Sequence, residues 1–228
     1  MAYDEGFYAR RRALSHASAA AVLGELFAVL QPQSVLDIGC GTGSWLAVAG
    51  QLGVPNRFGI DGGSVPAHLL EIPPACFVAS DLNQPLPVAD RFDLAICMEV
   101  AEHLRPERAE SLVAEIVHSA DCVLFGAAIP RQIGTHHINC QWQSYWRDLF
   151  SQHGYVRLGF MQERFWHDRR INVVYRQNAG LYVHRDRFNE ASWADKLAQL
   201  GRQDGLIDVV HPELYELYLD QLRYRLAA

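Results

Sequence analysis

The residues best suited to chemistry lie where apolar runs of this chain break. VLDIGCGTG, from Val35 to Gly43, begins as a run with β-branched residues and then carries glycine at every second position, Gly39, Gly41 and Gly43. A strand that ends in such a loop brings its backbone close to a ligand, because no Cβ stands in the way. Asp37 sits inside the run, where a purely structural strand would carry another Val or Ile. Two later apolar runs also close on an acidic residue, Asp61 and Asp81. A separate locus, MEVAEHL from Met98 to Leu104, places Glu99, Glu102 and His103 at i, i+3 and i+4. On a helical turn those three share one face. Two carboxylates and an imidazole form a donor set for a divalent metal that lacks one more ligand.

An Asp after a second strand can accept both hydroxyl protons of a ribose, and that role wants a carboxylate ~20 residues beyond the glycine loop. Asp61 lies 18 residues past Gly43. Asp81 followed by Leu82 suits the exocyclic amine and the face of a base. A dinucleotide loop would read G-x-G-x-x-G, with a pyrophosphate on the following helix N-terminus. This loop reads G-x-G-x-G, with a carboxylate two residues before its first glycine. A carboxylate repels a pyrophosphate and attracts a cationic sulfonium amino acid. The pattern therefore favours S-adenosylmethionine over NAD.

The elements that must position these residues alternate. Ala13–Leu30 has helical spacing and stops at Pro32; residues 1–12 read as a segment wrapping over the domain. After the glycine-bearing strand come a helix over Ser44–Gly53, a strand over Arg57–Ile60, a short helix near Val65–Leu70 and a strand over Cys76–Ala79. Phe92–Cys97, a helix over Pro106–Ser119 and Cys122–Ala128 continue the alternation. Short β-α units of this kind imply a parallel sheet with helices on both faces, and its ligand crevice at the strand ends. Beyond the polar loop, a helix over Gln143–Ser151 and a strand over Tyr155–Met161 are expected. Val173–Arg176 and Leu181–His184 read as a late strand pair or one interrupted strand, followed by helices at Ala191–Leu200 and Pro212–Leu226.

With 228 residues, 50% hydrophobic and 20% charged, the chain fits one globular domain over 1–228, with residues 1–30 as an N-terminal helix or lid and 190–228 as C-terminal helices. A net charge of −6 without a long basic run argues against a nucleic-acid partner. Five cysteines without C-x-x-C spacing argue against a disulfide framework or zinc ribbon and for a reducing compartment. No apolar run reaches the ~20 residues of a membrane span, and no secretory signal is visible, so the cytoplasm is expected.

Taken together, VLDIGCGTG, GIDGG, ASDL and FDLAICMEVAEHL resemble the successive motifs of class I S-adenosylmethionine-dependent methyltransferases, over roughly Ser34–Gly126. The resemblance implies a Rossmann-like seven-stranded, mostly parallel sheet whose last strand is antiparallel. It also implies that Asp37, Gly39, Cys40, Gly41 and Gly43 surround the methionine moiety, that Asp61 and Gly62 hold the ribose, and that Asp81 and Leu82 hold the adenine, with Met98 completing the cofactor wall. The E-x-x-E-H segment further resembles metal-assisted O-methyltransferases that act on vicinal oxygens, some of which add a histidine from the loop after the fifth strand. Glu99, Glu102, His103 and His137 are then the candidate catalytic and metal-binding residues. Acid/base work by His103 or His137 without a metal is the competing reading. AAIPRQIGTHHINCQWQSYWRDLF resembles bacterial methyltransferases of sugar and glycan chemistry, which points to a hydroxylated small-molecule or glycan acceptor. N-methylation, methylation of an RNA ribose, and a catalytically silent cofactor-binding partner are the alternatives. His137 and Asn139 are expected in the pocket and Trp146 and Leu149 in the core; Tyr175, Arg176 and Asn178 are further pocket candidates, and Tyr8, Arg11 and His16 could close over it.

Overall fold

A computed structural model describes residues 5–62 and 65–227, with side chains for 14–62 and 65–220. Seven strands form one sheet: β1 (Ser34–Ile38), β2 (Asn56–Asp61), β3 (Phe77–Ala79), β4 (Leu94–Met98), β5 (Cys122–Gly126), β6 (Tyr155–Leu158) and β7 (Gly180–His184), in the order β3-β2-β1-β4-β5-β7-β6. β1 pairs in parallel with β2 and β4, β2 with β3, and β4 with β5, whereas β7 runs antiparallel between β5 and β6. This is the mostly parallel Rossmann-like sheet with an antiparallel last strand.

The helices are α1 (Glu5–Leu30), α2 (Ser44–Gln51), α3 (Ala109–Ser119), α4 (Gln143–Gln152), α5 (Phe160–Phe165), α6 (Val173–Asn178), α7 (Ala194–Gln199) and α8 (Pro212–Ala227). Strand residues alternate between two buried layers, as a pleated strand covered on both faces requires. Val35, Leu94, Ile96, Leu124 and Leu181 pack with Leu23 and Leu26 of α1 and Leu46 of α2. Leu36, Ile38, Ala95, Val123 and Phe125 pack on the other side with Leu112 and Ile116 of α3 and Trp146 and Phe150 of α4. Trp146 and Leu149 are core residues, 2% and 7% exposed.

Three expectations are corrected. Val173–Arg176 is not a strand but the start of α6, because the Asn172 side chain accepts the Val174 amide at 3.1 Å and caps a helix. β6 stops at Leu158 rather than Met161; Gly159 then precedes α5. The helix at the N-terminus also starts earlier than its apolar pattern, at Glu5. No described helix is long and apolar enough to cross a membrane.

Candidate active site

The parallel strands deliver their C-terminal ends to one side of the sheet, where a cavity of about 460 Å³ opens. Its wall includes Asp37, Gly39, Cys40, Gly41, Asp61, Gly62, Asp81, Leu82 and Met98, together with Glu99, His103, His136 and His137. Gly43 is not in that wall. It takes φ 86° as the residue before α2, and its role is to turn the chain into the helix.

The glycine loop is fixed by backbone hydrogen bonds to β2: the amides of Gly39 and Cys40 donate to the Ile60 carbonyl at 2.7 and 3.1 Å. Gly39 has φ 75°, and a Cβ there would lie 2.2 Å from Val100 Cγ2, so the loop passes against the turn after β4. At Gly41, φ 55°, a Cβ would meet nothing within 4 Å; its missing side chain leaves space in the cavity wall. Asp61 holds this geometry by accepting the Gly41 amide on Oδ2 and the Gly62 amide on Oδ1, both at 2.6 Å. Burial pushes the Asp61 carboxyl above its ordinary range, against the opposing pull of those two amides.

Asp37 is 3% exposed, and its Oδ2 meets no hydrogen-bond donor among the described residues. Burial first, and the neighbouring Asp61 second, push its titration up to about 8. A buried carboxyl of that kind suits a cationic or N–H-bearing ligand. The orphaned oxygen and the side-chain-free wall at Gly41 together fit the amino-acid end of S-adenosylmethionine. Cys40 and Cys97 lie near these carboxylates, and burial holds both thiols well above their usual range, so neither offers a thiolate.

The second locus is built differently from the expected helical turn. Glu99 has φ 57°, in the left-handed region, and only Ala101–His103 form a short 3-10 turn. Glu102 is fully buried, and His103 and His137 are half-buried beside it. One ligand atom from each of these three lies within 4.8 Å of the others; Glu99 is not among them. His137 Nε2 is 4.0 Å from Glu102 Oε1, and the two rings meet edge to face at 4.9 Å. His137 Nδ1 faces the Gln132 carbonyl at 3.0 Å, and His103 Nδ1 faces the His136 carbonyl at 3.3 Å. A carbonyl only accepts, so a neutral ring protonated at Nδ1 keeps its lone pair on Nε2. Imidazoles oriented by carbonyls beside a buried carboxylate make a donor set that fits a divalent metal with open positions.

The loop after β5 is carried to this point by main-chain bonds. The amides of Ile138 and Asn139 donate to the Glu102 carbonyl at 2.8 and 3.0 Å. Asn139 itself is 2% exposed, directs Nδ2 at the Ala101 carbonyl and does not line the cavity. Arg176 likewise stays out, donating to Ile171, Trp166 and Glu213. Asn178 reaches Glu99, and Tyr175 lines the wall, where it meets Trp45 edge to face at 5.5 Å and Ser15 Oγ at 3.5 Å. Ser15, Trp45 and Asn83 are wall residues that sequence reasoning missed. Trp45 alone carried a signal, as an aromatic directly after the glycine loop. The side chains of Tyr8 and Arg11 fall outside the described residues, and His16 faces Gln51 at 3.4 Å.

A parallel sheet with this glycine loop, acidic strand ends and inserted antiparallel strand defines a class I methyltransferase scaffold. Residues 8–116, just under half of the chain, match the family model described as a methyltransferase domain. The fold is shared with Streptomyces venezuelae DesVI, at 14% identity and a TM-score of 0.58, over 79% of this chain and 96% of that one. It is also shared with the methyltransferase domain of bacterial CtHen1-C (16% identity, TM-score 0.55, 75% and 98% covered). A third is the magnesium protoporphyrin IX methyltransferase of Synechocystis PCC 6803 with bound SAH (19% identity, TM-score 0.53, 77% and 87% covered). No curated protein matches the chain.

Proposed function

We propose that the protein methylates an oxygen of a hydroxylated small molecule, of which a sugar or glycan is the favoured kind, with a divalent metal held by Glu102, His103 and His137. The observation that carries this reading is that one cavity is lined both by the glycine loop with its three aspartates and by His103 and His137, with Glu102 directly behind them. S-adenosylmethionine supplies an activated methyl and a neutral leaving group. Asp37 would face its cationic amino-acid end. Asp61, whose oxygens each accept one amide among the described residues, would take the ribose hydroxyls, and Asp81 with Leu82 the adenine.

A metal would supply charge that lowers the pKa of an acceptor hydroxyl. Glu102, His103 and His137 would hold it, with the Gln132 and His136 carbonyls fixing the ring tautomers. The wall residues would then hold acceptor and donor in line, an alignment that accounts for ~7–11 kcal/mol of barrier lowering in well-oriented reactions. A metal-free reading draws on the same tautomers: His137 Nε2 would take the acceptor proton itself, worth ~10²–10⁴-fold. We further propose that residues 1–228 act as one domain and work in the cytoplasm.

Transfer of a labelled methyl from S-adenosylmethionine to a set of hydroxylated acceptors, with and without a chelator, tests this. Activity abolished by chelator and restored by Mg²⁺, Mn²⁺ or Co²⁺ is expected. Full activity in excess chelator would sink the metal and leave the His137 base.

A further inference from the structure

Asp81 and Leu82 open a stretch, residues 81–91, that carries no strand or helix of its own. Its main-chain groups therefore need partners from elsewhere. Arg108, at the end of a short 3-10 turn leading into α3, reaches into this stretch and is 7% exposed. Its Nε donates to the Leu82 carbonyl at 3.0 Å, and its Nη2 to the Gln84 carbonyl at 3.1 Å. From the other side α3 holds the guanidinium: Nη2 donates to Glu115 Oε2 and Nη1 to Ser111 Oγ, both at 2.6 Å. Glu115 Oε2 also accepts the Leu86 amide at 2.8 Å, so both members of the ion pair grip the same stretch.

Asn83 carries this anchoring to Asp81. Its Oδ1 accepts the Arg105 amide at 2.9 Å, while its own amide and Nδ2 donate to Asp81 Oδ1 at 2.9 and 3.3 Å. Asp81, Leu82 and Asn83 line the cavity, and Arg108 stands behind them, outside its wall. A buried ion pair adds little net stability over apolar side chains of the same volume. What Arg108 adds is direction, because a planar fork can bond two carbonyls and a carboxylate at once, where an ammonium is a point charge.

We propose that Arg108 is the positioning residue of the base subsite: by gripping Leu82 and Gln84 it sets Asp81 and Leu82 so that the pocket prefers an amino-bearing purine to an oxo-bearing one. An exocyclic amine donates to the Asp81 carboxylate, whereas an oxo group turns an acceptor toward the same charge. This role rests on the methyl-transfer reading above, which puts adenine on Asp81 and Leu82. It goes beyond that reading in naming the residue that makes the subsite selective.

Calorimetry on the full chain with S-adenosylhomocysteine and S-inosylhomocysteine, which differ only in the base, tests it. The wild type should bind the adenine compound ~10–150-fold more tightly, the range of a hydrogen bond to a charged group. Asp81→Ala should erase that preference. Arg108→Met keeps the bulk without the grip, and should bring the preference to within about threefold by weakening S-adenosylhomocysteine more than S-inosylhomocysteine. Arg108→Lys keeps a charge beside Glu115 without the fork, and should fall between wild type and Arg108→Met. Loss of folded protein lowers the stoichiometry for both ligands and leaves the ratio of their affinities unchanged, so the ratio separates positioning from stability. Where Arg108→Met does not fold, Arg108→Lys decides. The role is overturned if every folded Arg108 variant keeps the wild-type preference, or if Asp81→Ala keeps it. Equal binding of the two compounds by the wild type overturns it as well and leaves the methyl-transfer reading standing. Failure of the wild type to bind S-adenosylhomocysteine would instead bring down that reading and this role with it.

Discussion

Asp37→Asn separates the needs of the empty fold from those of cofactor binding. The Asp37 carboxyl is buried beside Asp61 and titrates near 8, where 3.8 is ordinary. A shift of that size corresponds to on the order of 5 kcal/mol of penalty on the ionised form. Because the folded value is raised, the contribution to stability is fully present below 3.8 and is lost as pH rises through about 8. The empty wild type should therefore lose stability between pH 5 and pH 8, as measured by urea denaturation, and Asp37→Asn should lose markedly less. At pH 7 a group titrating near 8 is about nine-tenths protonated. Binding a cation next to it should expel that proton, so the wild-type binding enthalpy for S-adenosylmethionine should differ between phosphate and Tris by the ionisation of nearly one buffer proton. Asp37→Asn should show no buffer dependence and bind ~10–150-fold more weakly, the equivalent of ~1.5–3 kcal/mol for a hydrogen bond to a charged group. A buffer-independent wild-type enthalpy together with unchanged affinity in Asp37→Asn would refute the reasoning.

Three further outcomes follow from the geometry. A Cβ on Gly134 would lie 2.0 Å from His137 Nε2, so Gly134→Ala should displace that ring and weaken binding of the proposed metal, read by elemental analysis against wild type, while calorimetry shows S-adenosylmethionine binding intact. Gly39→Ala combines φ 75° with a contact on Val100, and should cost ~1–3 kcal/mol in chemical denaturation, with Val100→Ala recovering only the steric part. Asn172→Ala removes the cap of α6 and should cost ~1 kcal/mol, whereas a value near zero would mean the cap bond to Val174 is not held in solution.

The strand ends were legible because each carries its own chemistry. Asp37 inside an apolar run, glycines that tolerate φ 75° and 55°, and Asp61 at the edge of β2 are local features, and the structure places them on one cavity. Val173–Val174–Tyr175 misled because β-branched and aromatic residues suit a strand, while the deciding bond is the Asn172 cap, a property of the preceding residue's rotamer. The expected face of Glu99, Glu102 and His103 assumed one continuous helical turn. The backbone at Glu99 is instead tied to the end of β5, and its carboxylate is held by side-chain amides 33 and 79 positions away in sequence, which no local pattern encodes. Ser15 and Trp45 reach the wall because α1 and α2 pack against each other, a tertiary fact.

The place of β7 also bears on the order in which the protein can be made. β6 lies at the sheet edge, and its only ladder among the described residues is with β7, which itself fills the gap beside β5. A chain synthesised through Ala179 thus has a buried-type strand, β5, with one bare edge and a fully formed β6 sequence with nowhere to pair. Leu181 and Val183, both 0% exposed, close two ladders at once when they arrive. Nascent or truncated chains that stop short of Gly180 carry an open strand edge, the feature that invites pairing between copies. The last strand to be translated is therefore the one that closes the open edge of β5 and gives β6 its partner.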